Sequence, residues 1–589
     1  MLRFVVILGT LALVTLCGHL SMYGADFVFR TVLLKEQAVP GLPEHAFIIL
    51  GGAQLNNRGD LALRATVDSP SSSPQSSLWR ETEEGLQLVA IDEASAPGYS
   101  PLIVFSEVSG YQLNDAGQLL FDAFLDGPGI VDRRTQTGVF LNNGGFTERV
   151  AGALMEAPGL KPLDRFRRAS GALNHRGDIL VGGSTSGGQG GVWLRRAGTP
   201  TLVLLEIQPV PGIGPDTFAQ LGKVYFNRRR ELAFTGDIGG SGRLGISDSG
   251  AWTGRIDNLQ LIARHRDPAP GQENGVYFES ISFVRINEKG DVAVRATTLG
   301  PTEADPRGVG LWIWRDQILY PMIHTGQPIA GAADVLVSNV AGSFSISHGD
   351  HGLFGFQTKL EGPGIERPLD NAWWIGSVEN LVYLGRAGDP APGFSGDVRL
   401  SGISNPIFNK HDQFVVRGIL VGPSVSESNS RAVWFVDSPQ SAFEPIVRTG
   451  DEFEVAPGDS RVVTDFTLAD FNDRGEISLT LEFADESAGV FLFTRVPGMQ
   501  IPGDFNQDSH INLSDSFCIL RYLFRDPIGL LPCRSAEANL SLLDVNGDLR
   551  ADMADPVYLT LYLFSSGPSP VSGTECIEMA NCRDSVCDD

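Results

Sequence analysis

The sequence predicts an all-β architecture: an eight-bladed β-propeller closed by an N-terminal strand, followed by a small α-helical calcium-binding domain. Three observations predict it. A turn pattern recurs eight times at intervals of 53 to 63 residues. Gly and Pro are abundant, at 69 and 35 of 589 residues, as turn-rich β-structure requires. Near the C-terminus two acidic twelve-residue loops, 40 positions apart, are each followed by an apolar stretch.

The recurring pattern reads Asn-x-x-Gly-x-x-small-apolar and begins at Asn56, Asn114, Asn174, Asn227, Asn287, Gly349, Asn409 and Asn472. Asn suits the first position because its side chain accepts a nearby backbone N–H, and Gly suits the last, where φ is often positive. Arg230 and Asp412 replace that Gly in two copies. A second marker, mostly Trp, follows 19 to 26 residues later, at Trp79, Phe140, Trp193, Trp252, Trp312, Trp374, Trp434 and Phe491. A third, close to Ala-Pro-Gly, precedes each start by about 15 residues.

Each unit reads as four short strands. In the first, 47–55 is strand one, 56–59 a tight turn and 61–67 strand two; a polar loop at 68–77 leads to the strand of Trp79, and 86–91 is strand four. Four antiparallel strands per unit of about 60 residues predict propeller blades. The last unit ends near 493 without a fourth strand, and 28–34 followed by Val39-Pro40-Gly41 is a fourth strand without its other three. Joining them closes the ring and removes open edges. The propeller is therefore expected over 26–498, with an open β-solenoid or two smaller propellers as alternatives. The loops between strands two and three (126–137, 184–190, 237–250, 300–308, 361–371 and 422–430) vary most, and their face is the expected recognition surface. The repeat resembles the NxxGxxAF tandem-repeat family of exported bacterial surface proteins. The resemblance implies a secreted repeat protein and no settled activity.

The first residues, Met1-Leu2-Arg3 and an apolar run from Phe4 to about Cys17, read as a signal peptide over 1–25, with a membrane anchor as the alternative. The expected location is outside the cell or on the surface of a bacterium. No later stretch has 18 apolar residues in a row, so no membrane span is expected in the mature chain. Beyond Cys17, all five cysteines (Cys518, Cys533, Cys576, Cys582 and Cys587) fall in the last 72 residues. Disulfides are expected there, one thiol remaining over, with the pairing open.

The first acidic loop runs from 504 to 515 and the second from 544 to 555. At positions 1, 3, 5, 9 and 12 stand Asp504, Asn506, Asp508, Asn512 and Asp515, and Asp544, Asn546, Asp548, Asp552 and Asp555. Position 7 offers the backbone carbonyls of His510 and Arg550. Hard oxygens at this spacing wrap one Ca²⁺ per loop, two ions in all. Residues 501–589 hold 14 acidic and 5 basic residues, and seven of the acids are these proposed ligands, so calcium is expected to be required for folding. Loop and apolar stretch, repeated once, look like a dockerin domain over 499–570, with a Cys-rich tail at 571–589 whose Cys576, Cys582 and Cys587 suggest a disulfide clasp. The resemblance implies two calcium ions and a cohesin-type partner, with Leu513-Ser514 and Met553-Ala554 at the selecting positions. Position 6 departs from the usual Gly, being Ser509 and Leu549.

A net charge of −25 argues against a nucleic-acid partner. His348-Gly349-Asp350-His351 offers two histidines, too few for a metal site. Gly245-Ile246-Ser247-Asp248-Ser249 starts like a hydrolase elbow but lacks its second Gly. No catalytic cluster stands out. The expected function is a secreted binding or scaffold protein whose propeller recognises an unknown ligand, with polysaccharide one candidate, and whose tail docks to a cohesin-type partner. The alternative is a polysaccharide-degrading hydrolase or lyase on a propeller scaffold.

Overall fold

Tight turns every few residues leave each repeat no choice but antiparallel pairing. A computed structural model describes residues 17–20 and 27–589 apart from 69–72, 83, 133–134, 240–247, 301–307, 330–331, 348, 350, 457, 496–497, 525–532, 534–535, 580–581, 583–586 and 588–589. In it the repeats form eight antiparallel sheets, the blades of a propeller. Blade one consists of Leu42–Leu55, Leu61–Val67, Gln75–Thr82 and Gly85–Ile91, with the short Ala38–Val39 paired to the first of these. Strand two is the most deeply buried element: in Leu61–Val67 only Arg64 is exposed. It is an inner strand of its sheet and is covered by neighbouring blades on both faces, so its residues are almost continuously apolar.

No blade has a core of its own. The cluster around Phe105, Phe121 and Phe140 of blade two takes in Ala62, Leu78 and Ala90 of blade one. Likewise Trp252 of blade four packs with Leu180 and Leu194 of blade three. Stability is therefore shared between nearest neighbours. The Trp and Ala-Pro-Gly markers are two ends of one hydrogen bond. Trp193, Trp252, Trp312 and Trp434 donate their indole N–H to the carbonyls of Pro158, Pro211, Pro270 and Pro392 at 2.8 to 3.1 Å. Trp79 and Trp374 use the hydroxyls of Ser77 and Thr358 instead.

The ring closes as the sequence predicts. The N-terminal strand Phe27–Leu34 pairs with Ala488–Arg495 and completes blade eight, beside Glu476–Phe483 and Asp459–Phe471. Phe29 packs its ring 4.4 Å from Phe453 and 5.8 Å from Phe491, centroid to centroid. Of the expected leader over 1–25, only the short strand Cys17–Leu20 and nothing else lies within the described residues.

By contact, Phe29–Phe493 belongs to one compact unit and Thr494–Asp589, with His19–Val28, to a second. The second unit contains helices α1 (Leu513–Phe524), α2 (Ala536–Leu543) and α3 (Ala554–Ser565). The helices expected after the two acidic loops are α1 and α3. The intervening α2 carries no periodic signal strong enough to be read in advance. Ile519 of α1 and Leu559 of α3 are fully buried in a core with Phe505, Leu542 and Val545. Gly498–Gln500 pairs with Ile577–Met579. Disulfides join Cys533 to Cys582 and Cys576 to Cys587, leaving Cys518 as the odd thiol. The three-cysteine clasp thus splits: Cys582 reaches back 49 residues rather than pairing within the tail. Among the described residues no helix is long and apolar enough to cross a membrane.

Candidate functional site

The repeated Asn builds more than a turn. Asn56 Oδ1 accepts the N–H groups of Arg58 (3.0 Å) and Asp60 (2.9 Å), which closes the turn. Its Nδ2 donates to Asp60 Oδ2 (2.7 Å) and to the carbonyl of Asn114 in the next blade (2.9 Å). The inter-blade bond recurs from Asn114 to Asn174, Asn174 to Asn227, Asn227 to Asn287, Asn287 to Gly352, and Asn409 to Asn472. Asn472 donates to Asn56 O at 2.9 Å and completes the circuit. These amides are at most 5% exposed, so their hydrogen-bonding capacity is spent inside the protein.

Blade six departs from the pattern, and its turn does not start at Gly349 as the spacing suggests. Ser347 takes the place of Asn: its N–H donates to Leu353 O and its Oγ accepts the Gly349 N–H, across a turn two residues longer. Asp412 then bonds Ser347 Oγ and His351 Nδ1 from blade seven. His348 and Asp350 lie outside the described residues. Where Gly is replaced, Arg230 (φ 66°) and Asp412 (φ 59°) keep the left-handed backbone. Each gains a bond to the preceding blade, Arg230 through two contacts with Asp178 at 2.8 and 3.1 Å.

With Asn and Gly committed to the scaffold, chemical variety falls to the second turn position. Asn57, Asp115, His175, Arg228, Glu288, Lys410 and Asp473 all line one axial cavity of about 430 Å³. Side chains of this ring accept the backbone N–H of the neighbouring turn: Asp115 from Asn57 (2.9 Å), Glu288 from Arg228 (2.9 Å), Asp473 from Lys410 (2.7 Å) and Asn57 from Asp473 (2.8 Å). His175 Nδ1 lies 3.0 Å from Asp115 Oδ2. Burial alone would push the Asp115 carboxyl up, but hydrogen bonds from His175 and Asn57 hold it down at about 2. The same hydrogen bond raises the His175 pKa against the lowering effect of burial. Below them, burial pushes Asp470 up to about 6 while it accepts the Leu55 N–H at 2.8 Å. None of these residues stood out in the sequence, because they lie on separate turns and converge only when the ring closes.

A second cavity, of about 420 Å³, lies between blades three and four and is lined by Arg196, Arg230 and Arg255, with Thr199 and Thr201. Of the degenerate elbow, Asp248 and Ser249 belong to a blade strand, where Ser249 Oγ is buried and accepts the Ile281 N–H at 2.9 Å; 245–247 lie outside the described residues.

In the second unit, the proposed calcium-loop residues fold into two matching turns. Asp504 Oδ1 and Oδ2 accept the N–H groups of Asp508 (3.2 Å) and Ser509 (2.9 Å), and Asp544 does the same with Asp548 (3.0 Å) and Leu549 (2.8 Å). Asn506 and Asn546 cap the N–H groups of Asp508 and Asp548; Asp508 and Asp548 cap those of His510 and Arg550. Asn512 and Asp552 accept the N–H groups of Ser514 and Ala554. Asp515 accepts from Asn506 (3.0 Å) and Asn512 (2.8 Å). Asp555 accepts from Asp552 (2.8 Å), but its buried Oδ1 has no hydrogen-bond partner. Ser509 and Leu549 adopt φ of 68° and 64°, the conformation that favours Gly at position 6. Burial pushes Asp504 up to about 6, with the charges of Asp515 and Asp508 adding to it, and raises Asp515 and Asp555 in the same way. Among the described residues, no three His, Cys, Asp or Glu side chains gather closely enough to hold an ion by themselves. The loops offer Asn amides and backbone carbonyls besides carboxylates.

The β-propeller domain of the Trilobed protease from Pyrococcus furiosus is 8% identical, with 69% of this chain and 99% of that chain covered at a TM-score of 0.35. The Dos1 propeller is 11% identical over 78% and 95% of the two chains, at 0.33. The polysaccharide lyase Uly1 is 8% identical over 66% and 89%, at 0.34. No curated protein matches the chain. A family model described as a family of unknown function, DUF7453, matches residues 28–335 and 310–498, the propeller in its entirety, and the chain belongs to that family.

Proposed function

We propose that this chain is an exported bacterial binding protein, whose propeller presents a recognition surface and whose calcium-loaded, dockerin-like C-terminal unit docks to a cohesin-type partner. The observation that carries the reading is a duplicated apolar stripe on that unit. Leu513, Phe517 and Phe524 are exposed on α1; Met553, just ahead of α3, and Val557 and Phe564 on it are exposed at the matching positions, and Leu561 is exposed where α1 has Arg521. Large apolar side chains at helical spacing, left in water twice over, are the mark of a helix face built for a partner.

Calcium fits the loops on two observations. Asp555 Oδ1 is a buried carboxylate oxygen without a hydrogen-bond partner, and both loops hold position 6 in the left-handed conformation despite non-Gly residues. Asp504, Asn506, Asp508, Asn512, Asp515 and the His510 carbonyl would hold one ion; Asp544, Asn546, Asp548, Asp552, Asp555 and the Arg550 carbonyl would hold the other. Bound calcium would supply the positive charge that these clustered carboxylates lack. Calorimetry on the full-length protein is expected to show uptake of two Ca²⁺ ions. No uptake would refute the calcium reading, and a cohesin module that binds equally well with and without EDTA would refute calcium-dependent docking. The repeat family resembled by the turn pattern supports export.

A polysaccharide-degrading enzyme is the second reading, and one observation favours it. His175, whose Nδ1 lies 3.0 Å from Asp115 Oδ2, lines the same axial cavity as Arg228 and Lys410, so one cavity holds an imidazole and two cations. Activity on any polysaccharide that is abolished by His175→Ala would establish it over the first.

A further inference from the structure

The eight turns are not equal. Blade four reads Asn227-Arg228-Arg229-Arg230-Glu231, whereas no other copy carries more than one Lys or Arg between its first position and the Gly position. That turn stands between the two cavities: Arg228 lines the axial one and Arg230 the inter-blade one. Arg196 and Arg255 extend the second cavity outward, on the hairpins that join strands three and four. Guanidinium groups therefore line both cavities, on the two sides of one turn, in a chain whose net charge is −25.

Some of this charge is already engaged. Arg230 pairs with Asp178, Arg228 Nε lies 3.4 Å from Glu288, and Arg255 lies 3.9 Å from the exposed Asp257. Arg196 and Arg176 form no ion pair within 4 Å among the described residues, although the charge of Arg196 acts on Asp178, and Arg229 gives one side-chain N–H to the Lys289 carbonyl. Arg230 also occupies a left-handed position where most copies have Gly, a backbone conformation that side-chain-bearing residues rarely adopt. The inter-blade cavity adds the hydroxyls of Thr199 and Thr201 and the aliphatic side chains of Leu202 and Ile256; Asp257 is its one carboxylate against three arginines, and no aromatic ring lines it.

From this placement we infer that the Asn-turn side of blades three and four binds a linear anionic glycan, its carboxylate or sulfate groups on the arginines and its sugar rings against the aliphatic wall. Guanidinium groups bind such anions bidentately. Hydroxyls and aliphatic surface suit the two faces of a sugar ring. Single-stranded nucleic acid would bring the same charge but needs aromatic platforms for its bases, which the cavity lacks. The inference rests on the proposed binding role of the propeller, for which polysaccharide is one candidate ligand, and it puts the site on the turn side, away from the variable loops.

The test uses the full-length protein with calcium present. Binding is measured by interferometry to immobilised polygalacturonate, dextran sulfate, neutral dextran and oligo(dT), at low and at physiological salt. An Arg196→Ser/Arg229→Ser/Arg255→Ser variant is compared, its fold checked by the thermal midpoint. Expected is binding to one or both acidic glycans, weakened at least tenfold in the variant with the midpoint unchanged. Preference for polygalacturonate or dextran sulfate tells carboxylate from sulfate recognition. Equal binding by variant and parent, or tighter binding to oligo(dT), overturns the inference. Binding to neutral dextran alone overturns it while leaving polysaccharide recognition standing. No binding to any glycan overturns both.

Discussion

The propeller contains no cysteine and holds its ring with buried Asn amides and cores shared between blades; the C-terminal unit relies on two disulfides and two acidic loops. The difference follows from size. Several hundred residues bury enough apolar surface for neutral hydrogen bonds to specify geometry, whereas fewer than a hundred need covalent or ionic staples. Charge follows the same division. In the propeller, Asp178 and Asp291 pair with arginines, and Asp115, Glu288 and Asp473 accept the backbone N–H of a neighbouring turn. In the C-terminal unit, seven carboxylates crowd two short loops.

The sharpest way to break this comparison is to remove divalent cations. All eight Trp residues lie in the propeller, so Trp fluorescence follows that unit alone, and far-UV circular dichroism at 222 nm follows the helices of the other. EDTA is expected to abolish the helical transition and leave the Trp transition in place; loss of both together would show that the two units do not fold independently. A single amide comes next. Asn472→Ala removes the bond that joins blade eight to blade one and strands the N–H groups of Arg474 and Glu476. A destabilisation of about 3 kcal/mol is expected in denaturant unfolding followed by Trp fluorescence.

A smaller effect comes from pH. Burial pushes Asp122 and Asp470 up to about 6. Their folded pKa exceeds the unfolded one, so the folded state binds more protons between about 4 and 6 and the propeller gains stability as pH falls through that window. His175, also raised, acts in the same direction at higher pH, whereas Asp115, held at about 2, costs stability only below pH 4. The Trp-monitored midpoint is expected to be higher at pH 5 than at pH 7.5, and Asp470→Asn should flatten that dependence. The smallest effect is Arg230→Gly. It relieves the left-handed strain, worth about 1 kcal/mol, and loses the pair between a partly exposed guanidinium and the buried Asp178, worth about 1 kcal/mol if water takes the guanidinium's place. Stability should stay within about 0.5 kcal/mol of the parent, and a loss beyond 2 would show that the pair acts as a buried one.

Local chemistry made much of the fold legible. Asn56 and its equivalents announce turns because their amides act on residues two and four positions away. Val28 to Leu34 reads as a lone fourth strand because the last repeat lacks one. The same reading missed Ser347, because a hydroxyl in a turn lengthened by two residues does not look like an amide in a shorter one. It missed α2 for want of periodicity. It also passed over Arg228-Arg229-Arg230, a run in plain view whose meaning depends on what lies on either side of the turn. His175 and Asp115 were unreadable as a pair, being 60 positions apart and joined only by blade stacking.

The sequence by itself determined the repeat, its turns, the ring closure and the two acidic loops, because each is written in residues that act on near neighbours or recur at a fixed period. Only the tertiary structure decided which carboxylates are buried, which cysteines pair and which side chains share the axial cavity. Those depend on distances between residues far apart in the chain, and local chemistry places no constraint on them.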